Sequence, residues 1–133
     1  MTHQPLALLV EDSPTQAIEI TAALKQCGFD VISAVDGLAG LDMVYEHHPV
    51  LVVLDVQLPT MNGYQVCRRL KRDPQTASIP VIMMTVADSS DATLAGLEAG
   101  ADDYIAKDVF AGENLTATLN AFKTRMDGRN AQE

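Results

Sequence analysis

The chain has 133 residues, with 9 Lys+Arg against 18 Asp+Glu, a formal charge of −9 at pH 7. That length suits one domain with a real core, and 47% hydrophobic with 20% charged residues is the composition of a globular protein, not a disordered one. The acidic balance argues against an autonomous nucleic-acid binder, which needs cations to displace phosphate counterions, and against an anionic membrane surface as partner.

Leu6 to Val10 is the first of five short apolar runs. Ser13-Pro14 then supplies an N-cap with proline at the first helical position. Ala17, Ile20, Leu24 and Cys27 fall on one face of that helix, and Gly28 stops it. Phe29 to Val35 is the second run. Asp36-Gly37 opens a second helix with Leu41 and Val44 inward; it ends before His48-Pro49, where a cationic His47 or His48 suits the helix C-terminus. Val50 to Leu54 is the third run. Asn62-Gly63 opens a third helix with Val66 and Leu70 inward and with Arg68, Arg69, Lys71 and Arg72 as a solvated basic face, ending near Asp73-Pro74. Pro80 to Thr85 is the fourth run. Ser89-Ser90-Asp91 opens a fourth helix with Leu94 and Leu97 inward and Gly100 as its stop. Tyr104 to Ala106 is the last run, and a final helix from Ala111 aligns Leu115, Leu119, Phe122 and Met126. One domain over residues 1–133 is expected, with its core at about 6–126 and a frayed polar tail at 127–133.

The first, third and fourth runs are nearly continuous in Val, Ile, Leu and Met, the pattern of strands covered on both faces. Strict alternation of strand and helix implies an α/β doubly wound parallel sheet with right-handed crossovers and helices on both faces. Five such strands commonly take the flavodoxin-like order 2-1-3-4-5. Cys27 and Cys67 have neither disulfide nor metal spacing and read as small buried apolar residues. No stretch approaches the ~20 apolar residues of a membrane span, and the N-terminus lacks a signal peptide's basic region and cleavage site. A cytoplasmic location follows as an expectation.

Ligands of open α/β sheets bind beyond the carboxyl ends of the strands, at the point where strand order reverses. There the sequence puts Glu11 and Asp12 after strand 1, Asp55 after strand 3, Thr85 at the end of strand 4 and Lys107 after strand 5. Three clustered carboxylates repel one another unless a cation is present. Oxygen-only ligands favour a hard ion such as Mg²⁺. A carboxylate can act as a nucleophile toward phosphorus, and Mg²⁺, an ammonium and a hydroxyl suit the charge of a phosphoryl group in transfer. Asp55 is the natural nucleophile and Glu11-Asp12 the natural metal seat.

At these residues the sequence resembles the response regulator receiver domain. The resemblance is carried by Leu9-Val10-Glu11-Asp12-Ser13, Val52-Val53-Leu54-Asp55, Leu58-Pro59-x-Met61-x-Gly63, Pro80 to Thr85, and Gly100 to Lys107. It implies that Asp55 accepts a phosphoryl group from a phosphohistidine of a histidine kinase or histidine phosphotransfer protein. Asp12, Asp55 and the backbone carbonyl of Gln57 would ligate Mg²⁺, with Glu11 acting through water. Lys107 would contact the phosphoryl oxygens, while Thr85 and Tyr104 would move together to reshape a protein-binding face. Pro59 and Gly63 would shape the adjoining loop. Members usually carry proline after the lysine, with a cis bond, whereas Asp108 stands there. A non-proline cis bond costs about 3 kcal/mol, so a trans bond is expected. The added negative charge is expected to weaken phosphoryl capture or lengthen the phosphoryl lifetime.

A receiver of this kind is not conventionally an enzyme. With no output domain after the last helix, a stand-alone receiver or relay is expected, the alternative being a receiver excised from a hybrid kinase or larger regulator. An Asp-nucleophile phosphatase would need a second acid two residues after the nucleophile, where Gln57 stands. A flavodoxin-like carrier would need a phosphate-cradling loop where Glu11-Asp12 stand.

Overall fold

The computed structural model describes residues 4–86, 94–95 and 98–131, the side chains of 125–131 excepted. Its strands are β1 (Leu6–Val10), β2 (Asp30–Ala34), β3 (Leu51–Asp55), β4 (Val81–Thr85) and β5 (Asp103–Ala106). Its helices are α1 (Pro14–Gln26), α2 (Gly37–His47), α3 (Gly63–Arg72) and, at the C-terminus, α4 (Ala111–Ala131). The expected opening of a helix at Ser89-Ser90-Asp91, and Leu97, lie outside the described residues. Residues 94, 95 and 98 are helical.

The sheet is parallel throughout, in the order β2-β1-β3-β4-β5. Alternation along each strand sends side chains to two cores. Leu8, Val10, Val52, Leu54, Val81 and Met83 meet Leu41 and Val44 of α2 and Val66, Cys67 and Leu70 of α3. Ala7, Leu9, Val53, Ile82, Met84 and Ile105 meet Ile20 and Leu24 of α1 and Leu115 and Leu119 of α4.

Local chemistry sets the element ends. Ser13, Asp36 and Asn62 each cap a helix, their side chains accepting from the N–H groups of Gln16, Ala39 and Gln65. Asn62 and Gln65 form a reciprocal capping box, which satisfies two otherwise orphaned donors. α1 gives way at Gly28, which has φ +91°. His48 caps α2 with its backbone, in a left-handed conformation and with its N–H donating to the Val44 carbonyl. Cys67 is buried and Cys27 half-buried.

Two side chains depart from the sequence-based expectation. Leu94 was expected inward, yet it is 54% exposed; helical periodicity marks a stripe without saying what covers it. Lys71 does not belong to a solvated face. Its ammonium donates to the carbonyls of Ala77 (3.2 Å) and Ile79 (2.8 Å) and to Asp102 Oδ2 (2.8 Å). Arg68, Arg69 and Arg72 are exposed, as expected. The backbone of α4 continues to Ala131, past the last periodic residue, Met126.

Candidate functional site at the carboxyl edge of the sheet

The strand order reverses between β1 and β3, so the residues following these strands flank one crevice. Glu11 extends β1, its N–H donating to the Ala34 carbonyl (3.0 Å). Asp55 ends β3, with the same parity as the buried Leu51 and Val53. Carboxylate oxygens of Glu11, Asp12 and Asp55 lie within 4.8 Å of one another. Glu11 and Asp55 are buried and Asp12 is exposed. Lys107 leaves β5 beside them, and its ammonium lies 2.5 Å from Glu11 Oε1 and 3.2 Å from Asp55 Oδ1.

Burial raises the Glu11 carboxyl above its usual 4.5, and the Asp55 charge adds to the rise while the Lys107 hydrogen bond opposes it. A raised carboxyl favours the protonated folded form. Its stabilising contribution is therefore full below 4.5 and is lost as pH rises through the higher folded value. Glu11→Gln is expected to flatten the stability–pH profile over this range in EDTA. Melting curves that keep the wild-type slope would contradict this.

Among the described residues the donor set, three carboxylates with no nitrogen or sulfur ligand in the cluster, fits a hard divalent cation. Gln57 is exposed at the crevice, and its N–H donates to Asp55 Oδ1 (3.4 Å). Thr85 and Tyr104 share a sheet face on adjacent strands, since Met83 pairs with Tyr104 and Thr85 with Ala106. Thr85 is fully buried. Tyr104 is half-buried against the core beneath α2 and α3.

The loop between β3 and α3 is tightly held. The Pro59 carbonyl accepts from the N–H groups of Gly37 (3.1 Å) and Met61 (2.8 Å). Thr60 adopts φ +67°, a region costly for a β-branched residue. Its hydroxyl donates to Asp36 Oδ1 (3.1 Å) and accepts from the Leu38 N–H (3.2 Å). Gly63 lies so close to Asp55 that an added Cβ would sit 2.3 Å from the Asp55 carbonyl oxygen.

The Lys107–Asp108 bond is trans. Asp108 starts the approach to α4: its Oδ1 accepts from the Phe110 N–H (2.8 Å) and its carbonyl from the Ala111 N–H (3.1 Å). Sequence reasoning missed two participants. Gln16, on α1, accepts a hydrogen bond from Lys107 (2.5 Å), and Asp36 holds the loop through Thr60. Both contacts span long stretches of chain, and only the N-cap signal at Asp36 was local.

Fold and site together define a doubly wound α/β domain with a cluster of three carboxylates at its switch point. A family model for the response regulator receiver domain matches residues 7–120, and the chain belongs to that family, whose members are phosphorylation-dependent switches of two-component signalling. RpaA, a DNA-binding dual master transcriptional regulator of Synechocystis, is 37% identical over 123 residues, 92% of this chain and 51% of that protein. Protein PilH of Pseudomonas aeruginosa is 38% identical over 114 residues, 86% of this chain and 93% of that protein. Apart from PilH, the chain spans about half the length of these curated relatives. The receiver domain of sensor histidine kinase PA1611 from Pseudomonas aeruginosa, with a magnesium ion coordinated in its active-site cleft, matches with a TM-score of 0.80. It is 27% identical, over 90% of this chain and 97% of that one. Among the described residues no helix is long and apolar enough to cross a membrane.

Proposed function

We propose that Asp55 is the phosphoacceptor of this switch and that a histidine kinase or histidine phosphotransfer protein supplies the phosphoryl group. The observation that carries this is the convergence of Asp55, Glu11 and Asp12 within 4.8 Å, with Lys107 3.2 Å from Asp55. A carboxylate oxygen of Asp55 attacks phosphorus, the P–N bond to the donor imidazole breaks, and the imidazole leaves with the electron pair. Water later attacks the phosphorus, the P–O bond to the Asp55 carboxylate breaks, and inorganic phosphate leaves, which returns the carboxylate.

Asp12, Asp55 and the Gln57 carbonyl would hold Mg²⁺, Glu11 acting through water; bound there, the ion neutralises charge on the carboxylates and on the transferring oxygens. Lys107 supplies a second positive charge aimed at the same oxygens. Thr85 and Tyr104 transmit the change to a protein-binding surface, while Pro59 and Gly63 keep the loop's shape. Asp108 takes the place of a proline and adds a negative charge at the rim, which weakens capture or slows release of the phosphoryl group. The domain works as a switch, not as a turnover enzyme, and signals through protein partners without itself reading nucleic acid.

Incubation with acetyl phosphate and Mg²⁺, followed by intact-mass measurement, is expected to give one phosphoryl adduct in the wild type and none in Asp55→Asn. An unmodified wild type, under conditions that label another receiver, would sink the assignment.

A further inference from the structure

From the contacts of Lys107 we infer that Gln16 is a positioning residue, whose side-chain carbonyl divides the lysine ammonium between α1 and the carboxylates and so sets the site's affinity for divalent cations. This rests on the cation-site reading above. The ammonium donates to two acceptors, Glu11 Oε1 and Gln16 Oε1, both at 2.5 Å, and forms an ion pair with Asp55 Oδ1 at 3.2 Å. The nearest two are Glu11 and Gln16, and the contact to Asp55 is the long one.

Gln16 is anchored at both ends. Its N–H donates to the Ser13 hydroxyl (3.4 Å), and the Ser13 N–H donates to Glu11 Oε2 (3.3 Å). Glu11, Ser13, Gln16 and Lys107 thus close a ring of hydrogen bonds that ties the first turn of α1 to the end of β5. An amide oxygen takes one N–H of the lysine without adding charge. It therefore draws the ammonium away from Asp55 and adds no repulsion to the carboxylate cluster. An ammonium and a divalent cation compete for the same carboxylates, so the share of the lysine held by Gln16 is a share the cation need not displace. The contact lies at the wall of an open pocket of about 140 Å³ lined also by Glu19, Ile20 and Met84.

The test compares two variants of the full chain, with Mg²⁺ titrations followed by amide NMR at constant ionic strength. Gln16→Met keeps the side-chain length and removes the acceptor. The lysine then falls back on Glu11 and Asp55, and Mg²⁺ affinity drops about 3- to 10-fold, the scale of part of one hydrogen bond to a charged group. Gln16→Glu holds the lysine more firmly on α1, and Mg²⁺ affinity rises by a similar factor. In a Lys107→Ala background, Gln16→Met has no effect. Loosening of α1 alone would move both variants in the same direction, and that result overturns the proposal. So does an undiminished effect of Gln16→Met when Lys107 is absent. In the metal-free protein the Lys107 ammonium ¹⁵N resonance shifts in Gln16→Met, and an unchanged resonance overturns the proposal whatever Mg²⁺ does. Failure of the wild type to take a phosphoryl group, with this pattern intact, would remove the phosphoacceptor assignment and leave the role of Gln16 standing.

Discussion

Lys107→Ala is expected to destabilise the metal-free protein by about 3–5 kcal/mol near neutral pH, the range for removing one partner of a buried ion pair. The side chains concerned are nearly inaccessible: Lys107 and Asp55 are 9% exposed and Glu11 is 1% exposed. Without the ammonium, two buried carboxylates face each other with no compensating charge. The Lys107 hydrogen bond is the main influence holding the Glu11 carboxyl down against burial, so its loss raises that carboxyl further. The variant should accordingly regain stability, relative to wild type, as pH falls toward 4.5 from above. Mg²⁺ should also restore it, because a ligand that binds only the folded state stabilises by mass action, and the ion no longer competes with the lysine. Phosphorylation by acetyl phosphate is expected to slow by about 10²-fold, the usual effect of losing one charge-stabilising donor. Urea unfolding at two pH values, with EDTA or Mg²⁺, checks the thermodynamic part. A stability loss indifferent to both pH and Mg²⁺ would mean that the lysine does not compensate these carboxylates.

Gly63→Ala is the second large effect expected, and its origin is steric. The added Cβ would lie 2.3 Å from the Asp55 carbonyl oxygen and 2.9 Å from Val56 Cα. Both are backbone atoms, so no side-chain rotation relieves the clash. The loop or the end of β3 must move, at a cost of about 1–3 kcal/mol by the scale of overpacked cores. Because the displaced carbonyl belongs to the proposed phosphoacceptor, phosphorylation should fall along with stability. Gly112→Ala is the matched control: nothing lies within 4 Å of its Cβ position, and the change should be neutral or stabilising by up to about 1 kcal/mol. Equal melting temperatures for Gly63→Ala and wild type would show that the loop yields freely.

Most of the architecture could be read from local chemistry. Ser13, Asp36 and Asn62 announced three helix starts, and each is an N-cap. Uninterrupted apolar runs placed the central strands, since a strand buried on both faces needs no polar alternation. Strand order alone brings Glu11, Asp12, Asp55 and Lys107 to one edge. What stayed hidden is what depends on distance through space. Gln16 meets Lys107 across 91 residues and Thr60 meets Asp36 across 24, and neither has a marker at that separation. Lys71 sits in a basic run, yet its ammonium is claimed by two carbonyls and Asp102. Residue type alone does not distinguish a solvated lysine from a bonded one.

The hold of Asp36 and Gly37 on the β3–α3 loop has a thermodynamic corollary. One carboxylate oxygen of Asp36 both caps α2 through the Ala39 N–H and receives the Thr60 hydroxyl, while the Gly37 N–H secures the Pro59 carbonyl. The start of α2 and the loop that bears Gln57 are thus clamped by the same few atoms. Free energy applied at one is felt at the other, and linkage makes the exchange reciprocal. A molecule that grips the first turn of α2 would retune the crevice by the same factor by which occupancy of the crevice retunes that grip. The first turn of α2 is, in this sense, coupled to the loop that bears Gln57.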